Sequence, residues 1–145
     1  MARYVHTTDA KGRIFIPARL RESLGGVVYV TKSLDKGYLT LYTTDQFESV
    51  REQLNQLSGT DPVARILRRE IIGEALRCTL DSQGRISISN DLWSYINVKP
   101  SDEVCVIDMF DSLQICGKAF YDEQVASEPT IDELDLSAYD VKGIL

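Results

Sequence analysis

Two short stretches hold the residue types best suited to chemistry, Asp9-Ala10-Lys11-Gly12-Arg13 and Asp81-Ser82-Gln83-Gly84-Arg85. In each, the aspartate can accept hydrogen bonds from nearby backbone N–H groups, and the glycine can take the left-handed conformation that a tight connection needs. The arginine then stands at the start of a strand. A single copy reads as a hairpin turn with a solvated arginine, but two copies place positioned guanidiniums at equivalent points of a duplicated unit. Arginine can be bidentate to guanine or bind phosphate, so the chemistry that fits is DNA recognition by a β-ribbon or strand-turn unit in the major groove. Arg13 and Arg85 are the leading candidates. Lys11 adds a phosphate-binding cation to the first copy, whereas Gln83 in the second is uncharged, so the first copy is expected to bind more strongly. Arg3 and Arg19 belong to the same basic neighbourhood, and Asp9, Gly12, Asp81 and Gly84 shape the turns.

The elements that must position these residues follow from the repeat. The two stretches are offset by 72 residues, and the match continues from Leu20 to Leu92, from Val28-Tyr29-Val30 to Val104-Cys105-Val106 and from Leu39-Thr40-Leu41 to Leu113-Gln114-Ile115. A unit of about 45 residues is usually too small to form a sufficient core alone, so the copies must share one. Each reads as strand, turn, strand, short helix, strand, turn, strand. Ile14 and Ile16 alternate with Arg13 and Phe15; Pro17 suits the first turn of a helix that Gly25-Gly26 ends; and Asp35 and Gly37 supply the turn between two β-rich runs. In the second copy Asn90 can cap the short helix.

Between the copies, Asp45 and Glu48 have the spacing of a capping box and predict a helix over about 46–57. Asp61-Pro62 opens another that runs to Gly73. After Gly117 the pattern weakens into an acidic tail, disordered or docked elsewhere. The organisation is thus a first unit over 3–45, a connecting helical hairpin over 46–73, a second unit over 74–118 and a tail over 119–145.

Charge is unevenly spread. The net charge is −6, of which residues 118–145 contribute −5, and the N-terminal 21 residues have a local positive excess. A basic patch on a near-neutral body is compatible with DNA. The opening residues lack the apolar stretch of a secretory signal, and no apolar run reaches the roughly 18 residues of a membrane span, so the expected location is the cytoplasm. Cys78, Cys105 and Cys116 form no C-x-x-C pair and, with the single His6, match no zinc-site spacing; they read as reduced packing residues. An aspartic dyad from Asp9 and Asp81 fails because arginine follows each acid and favours two ionised carboxylates. No nucleophile motif or phosphate-binding glycine loop is present. The reading is therefore a non-enzyme without cofactor, metal or small-molecule substrate.

The run from Asp9 to Pro17, Asp61-Pro62-Val63-Ala64-Arg65, Ile72-Gly73-Glu74-Ala75 and Asp81-Ser82-Gln83-Gly84-Arg85 together resemble the MraZ family of transcriptional regulators, over about residues 3–118. The resemblance implies a β-rich α+β fold of two AbrB-like swapped-hairpin β-barrel units joined by a helical hairpin. It also implies a ring-like homo-oligomer, nucleoid-associated, that reads short direct repeats in the promoter of the cell-division and cell-wall gene cluster, with Arg13 and Arg85 in the DNA-contact role. The chain departs from the family in Ser89 where the first copy has Pro17, in Ala2-Arg3-Tyr4 where Phe-Arg-Gly is usual, and in the acidic tail. The alternatives are an AbrB-like antitoxin, which has one copy of the unit rather than a tandem pair, and an oligomeric interaction protein with weak or no DNA binding.

Overall fold

The computed structural model describes residues 3–144, apart from the side chain of Arg19. In chain order the elements are β1 (Arg3–Thr7), β2 (Arg13–Phe15), α1 (Ala18–Leu24), β3 (Val27–Lys32), β4 (Leu39–Thr43), α2 (Thr44–Asn55), α3 (Pro62–Leu67), β5 (Leu76–Thr79), β6 (Arg85–Ser87), α4 (Asn90–Tyr95), β7 (Glu103–Asp108), β8 (Ser112–Gly117) and α5 (Lys118–Ser127).

The repeat is visible in the pairing. One antiparallel sheet has the order β1-β7-β8-β4-β3-β5, and β2 pairs with β6 in a separate two-stranded ribbon. The first strand of each copy therefore lies on the hairpin of the other copy: β1 on β7 and β5 on β3. The hairpins β3–β4 and β7–β8 meet through β4 and β8, with Leu39 opposite Ile115. This is an exchange of strands within one chain. The ladders form an open six-stranded sheet and a separate ribbon, and they do not close into a barrel. The ribbon is only three residues long on each strand, and bonds in the same register from Ile16 N–H to the Gly84 carbonyl (2.9 Å) and from Ile88 N–H to the Gly12 carbonyl (3.2 Å) carry it on to the two turns.

Period-two alternation puts one side chain in two into a shared core. Its centre is built of equivalent pairs: Ile14 with Ile86, Ile16 with Ile88, Val28 with Val104, Val30 with Val106, Leu39 with Leu113 and Leu41 with Ile115, none more than 2 % exposed. Burying such an aliphatic side chain contributes about 1.5–3 kcal/mol, and the pairs come equally from both copies. Leu20 and Leu24 of α1, Leu92 of α4 and Ile96 at its end cover the same core.

The connector is anchored by an aromatic stack and by polar contacts. Phe47 of α2 stacks on Tyr29, with ring centres 4.4 Å apart. Arg68 donates to the carbonyls of Leu54, Leu57 and Ser58, tying the last turn of α2 and the residues just after it to the second helix. Lys32 pairs with Glu70 at 2.5 Å, and the Thr31 hydroxyl donates to the Ile71 carbonyl. Beyond α3 the helix widens to a π-helical turn at Arg68–Gly73, where that Thr31 bond lands.

Three local expectations shift. Thr43, rather than Asp45, caps α2 by accepting from the Gln46 N–H, because the helix begins directly where β4 ends. Ser89, rather than Asn90, caps α4 by accepting from Leu92; at the equivalent place in the first copy Pro17 has no side-chain cap to offer. The start of the tail is α5, which packs beside β7 and β8 with the Phe120 ring over Gly37 and edge-on to Tyr38. It follows β8 as α2 follows β4. Beyond it a 3-10 turn at Ile131–Glu133 is closed by a capping box from Thr130, and most of this segment is exposed.

Cys105 and Cys116 face each other across β7 and β8, and Cys78 lies on β5; all are buried. Burial pushes the thiols up, Cys78 to about 11 and Cys116 to about 12, as suits packing residues. His6 is half-buried on β1, and loss of water around it lowers its pKa. Among the described residues no cluster of side chains suited to a metal is found, and no helix is long and apolar enough to cross a membrane.

Candidate nucleic-acid interface

The two Asp-x-x-Gly-Arg turns fold almost identically, because the same few atoms close them. Asp9 Oδ1 accepts from the N–H groups of Lys11 and Arg13, both at 2.9 Å, while Oδ2 accepts from Arg13 Nε at 2.6 Å. Asp81 does the same with Gln83 N at 2.9 Å, Arg85 N at 2.8 Å and Arg85 Nε at 2.8 Å. Backbone bonds from Gly12 N to Asp9 O and from Gly84 N to Asp81 O tighten each turn. Gly12 and Gly84 have φ of +73° and +78°, a region that an L side chain enters only at a cost.

Each aspartate is thereby held charged. The N–H of the following arginine is the largest influence lowering the pKa of Asp9 and of Asp81, and the guanidinium adds to it. Each ion pair is made through Nε, with the terminal Nη groups at the far end of the fork. A short, rigid side chain thus fixes the direction of a long flexible one before any ligand arrives.

Both arginines belong to one surface. In the ribbon Ile14 and Ile86 are opposite each other and point into the core, while Arg13 is opposite Ser87 and Phe15 is opposite Arg85. Alternation therefore puts Arg13, Phe15, Arg85 and Ser87 on the outer face, and Phe15 is 44 % exposed there. The Arg85 guanidinium lies over the Phe15 ring, with its carbon 5.8 Å from the centre. Lys11 and Gln83 are exposed at the tips of the turns.

The other two basic candidates lie elsewhere. Arg3 on β1 donates to the Tyr121 hydroxyl at 3.0 Å and sits over that ring, so it ties the sheet edge to α5. Arg19 is on α1, and its side chain falls outside the described residues.

Two residues not singled out by motif reading brace the turns, each from the opposite copy. Trp93 of α4 is 4 % exposed, and its Nε1 donates to the Gly12 carbonyl at 2.9 Å. Arg21 of α1 donates through Nε to the Ile16 carbonyl at 2.8 Å and lies against Gly84, where an added Cβ would overlap its guanidinium. Arg21 and Trp93 are separated by the same 72-residue offset as the motifs. That offset is the signal that could have found them.

The family model described as "MraZ protein, putative antitoxin-like" matches residues 1–70 and again residues 71–137. The second match takes in α5 and part of the acidic segment, beyond the end of the sequence resemblance near residue 118. Among curated relatives, a protein named Transcriptional regulator MraZ from Caldanaerobacter subterraneus subsp. tengcongensis is 34% identical over 140 residues, covering 93% of this chain and 96% of the relative. One of the same name from Desulfitobacterium hafniense is 42% identical over 121 residues, covering 83% and 82%. A third, from Shewanella frigidimarina, is 33% identical over 121 residues, covering 81% and 78%. These relatives are named as regulators, not enzymes. With the family model matching both halves and relatives of this identity spanning most of its length, the chain belongs to the MraZ family.

Proposed function

We propose that this chain is a transcriptional regulator that binds double-stranded DNA through the outer face of the β2–β6 ribbon. The observation that supports it most is the pair of arginines, Arg13 and Arg85, locked by Asp9 and Asp81 on one exposed two-stranded ribbon. A β-ribbon fits the major groove, and guanidinium groups there can meet guanine edges or phosphate. Lys11 at the tip of the first turn adds a phosphate contact. The names of the relatives point the same way.

The finer reading is that the protein works as a ring-like homo-oligomer in the cytoplasm, associated with the nucleoid. It reads short direct repeats in the promoter of the cell-division and cell-wall gene cluster. Support for self-association comes from the hairpin tips. Leu34 on the β3–β4 tip is 82% exposed, and Phe110 on the β7–β8 tip is 98% exposed. Because β4 and β8 run antiparallel, these tips point to opposite ends of the sheet, as a head-to-tail contact requires. A ring that presents the same ribbon several times would match direct repeats and raise affinity by about 10² to 10⁴ over a single face.

The test is fluorescence anisotropy with a promoter duplex carrying direct repeats, against the same duplex with one repeat and with none. Binding should fall steeply as repeats are removed. Arg13→Ala should cost about 1–3 kcal/mol per engaged face. Absence of binding to any duplex at low salt would sink the DNA-binding reading.

A further inference from the structure

We infer that Arg21 is a further DNA-contacting cation, one that serves the second turn although it belongs to the first copy. This rests on the ribbon being the DNA face. Trp93 closes the Gly12 turn with a buried ring whose only polar atom is spent on the Gly12 carbonyl. At the equivalent place, Arg21 lays its guanidinium against Gly84 while donating to the Ile16 carbonyl. That group has five N–H donors, of which the bond to the Ile16 carbonyl takes one. Arg21 is half-buried, with its charge held against the residue immediately before Arg85.

The exchange of strands thus redistributes the basic residues. By sequence the second motif is poorer, with Gln83 where the first has Lys11. In the fold the first turn has Arg13 and Lys11 and is braced by a neutral ring, whereas the second has Arg85 and is braced by Arg21. Each turn carries one aspartate and two cations, so each presents a net positive charge to an anion. Arg21 meets the turn at Gly84 and the Ile16 carbonyl, off the outer face on which Arg13, Phe15, Arg85 and Ser87 lie, which suits it to phosphate and not to base edges. It should therefore add affinity without choosing sequence.

Arg21→Gln, Arg21→Lys and Arg21→Trp, the last taking the residue of the equivalent position, test this in the full chain. Binding to a labelled mixed-sequence duplex is measured across a salt series, with circular dichroism and thermal melting as checks of folding. The glutamine and tryptophan variants should lower the slope of log affinity against log salt by about 0.9 per engaged face, and lysine should keep it. Wild-type slopes in both glutamine and tryptophan variants would overturn the inference and leave Arg21 as a brace. If tryptophan fails to fold, the glutamine–lysine comparison carries the same decision. Failure of the wild-type protein itself to bind duplex would overturn the DNA reading and this inference with it, a result distinct from an unchanged slope.

Discussion

Arg85 lies across the ribbon from Phe15, its guanidinium carbon 5.8 Å from the ring centre, whereas Arg13 lies across from Ser87. The two motif arginines share the same aspartate lock but differ in what supports the outer end. Phe15→Ser would give Arg85 the surroundings of Arg13. Removing an exposed cation–π contact of this kind costs about 0.5–1 kcal/mol, so affinity for a repeat-bearing duplex should fall by a few-fold. Ser87→Phe should give Arg13 a ring and move affinity the other way. Anisotropy titrations of both variants at one salt concentration check the pair.

The glycines of the turns should differ in their tolerance of a methyl group. Both lie at positive φ, which costs an alanine roughly 1–2 kcal/mol. At Gly84 the added Cβ meets Arg21, a long side chain able to swing aside. At Gly12 it would come within 2.9 Å of the Ile88 carbonyl and of Trp93 Nε1, backbone and a buried ring that have nowhere to go. Gly12→Ala should therefore lose about 1–3 kcal/mol beyond Gly84→Ala, measured by urea denaturation. Equal losses would mean that Trp93 does not hold its turn.

Acid should loosen the turns late. Asp9 and Asp81 have pKa values lowered in the folded protein from the ordinary 3.8, chiefly by the Arg13 and Arg85 N–H groups. A depressed folded pKa contributes stability that is complete above the unfolded value and is lost as pH falls through the folded one. The contribution should thus persist down to about pH 3.8 and disappear below it. Trp93 is the single tryptophan and bonds the Gly12 carbonyl, so its fluorescence follows the first turn. Asp9→Asn should remove that acid step, while Asp81→Asn should leave it in place.

The acidic segment divides into a structural and a dispensable part. Phe120 and Tyr121 of α5 hold Tyr38, Gly37 and Arg3, whereas over residues 128–144 the side chains are exposed or nearly so. Ending the chain after Ser127 should leave the melting temperature close to that of the full protein. Ending it after Lys118 should cost about 1–3 kcal/mol through lost aromatic burial.

Much of the strand layout is legible in the sequence because a duplicated motif marks its own boundaries. The Asp-x-x-Gly-Arg turns, the hairpins and the two connecting helices need only local rules: a left-handed glycine, period-two alternation, a cap. Which copy a strand pairs with is not local. Nothing near Tyr4 or Leu76 says that β1 and β5 lie on the opposite hairpins, and the bracing of each turn follows from that exchange. Arg3 illustrates the limit. It stands among basic residues in the sequence, but β1 carries it to the edge beside Tyr121. The helical character of α5 was hidden by its acids, yet the hydrophobic pair Phe120 and Tyr121 is what seats it.

The crossing of β1 to β7 also has a bearing on synthesis. The first strand leaves the ribosome early, but its partner, residues 103–108, arrives only when most of the chain has been made. The ribbon likewise waits for β6. A nascent or prematurely ended chain would hold open strand edges instead of a weakened reading head, a state exposed to aggregation and proteolysis. Translation should therefore yield either the complete ribbon or none, so that truncated products do not compete with the finished protein for DNA.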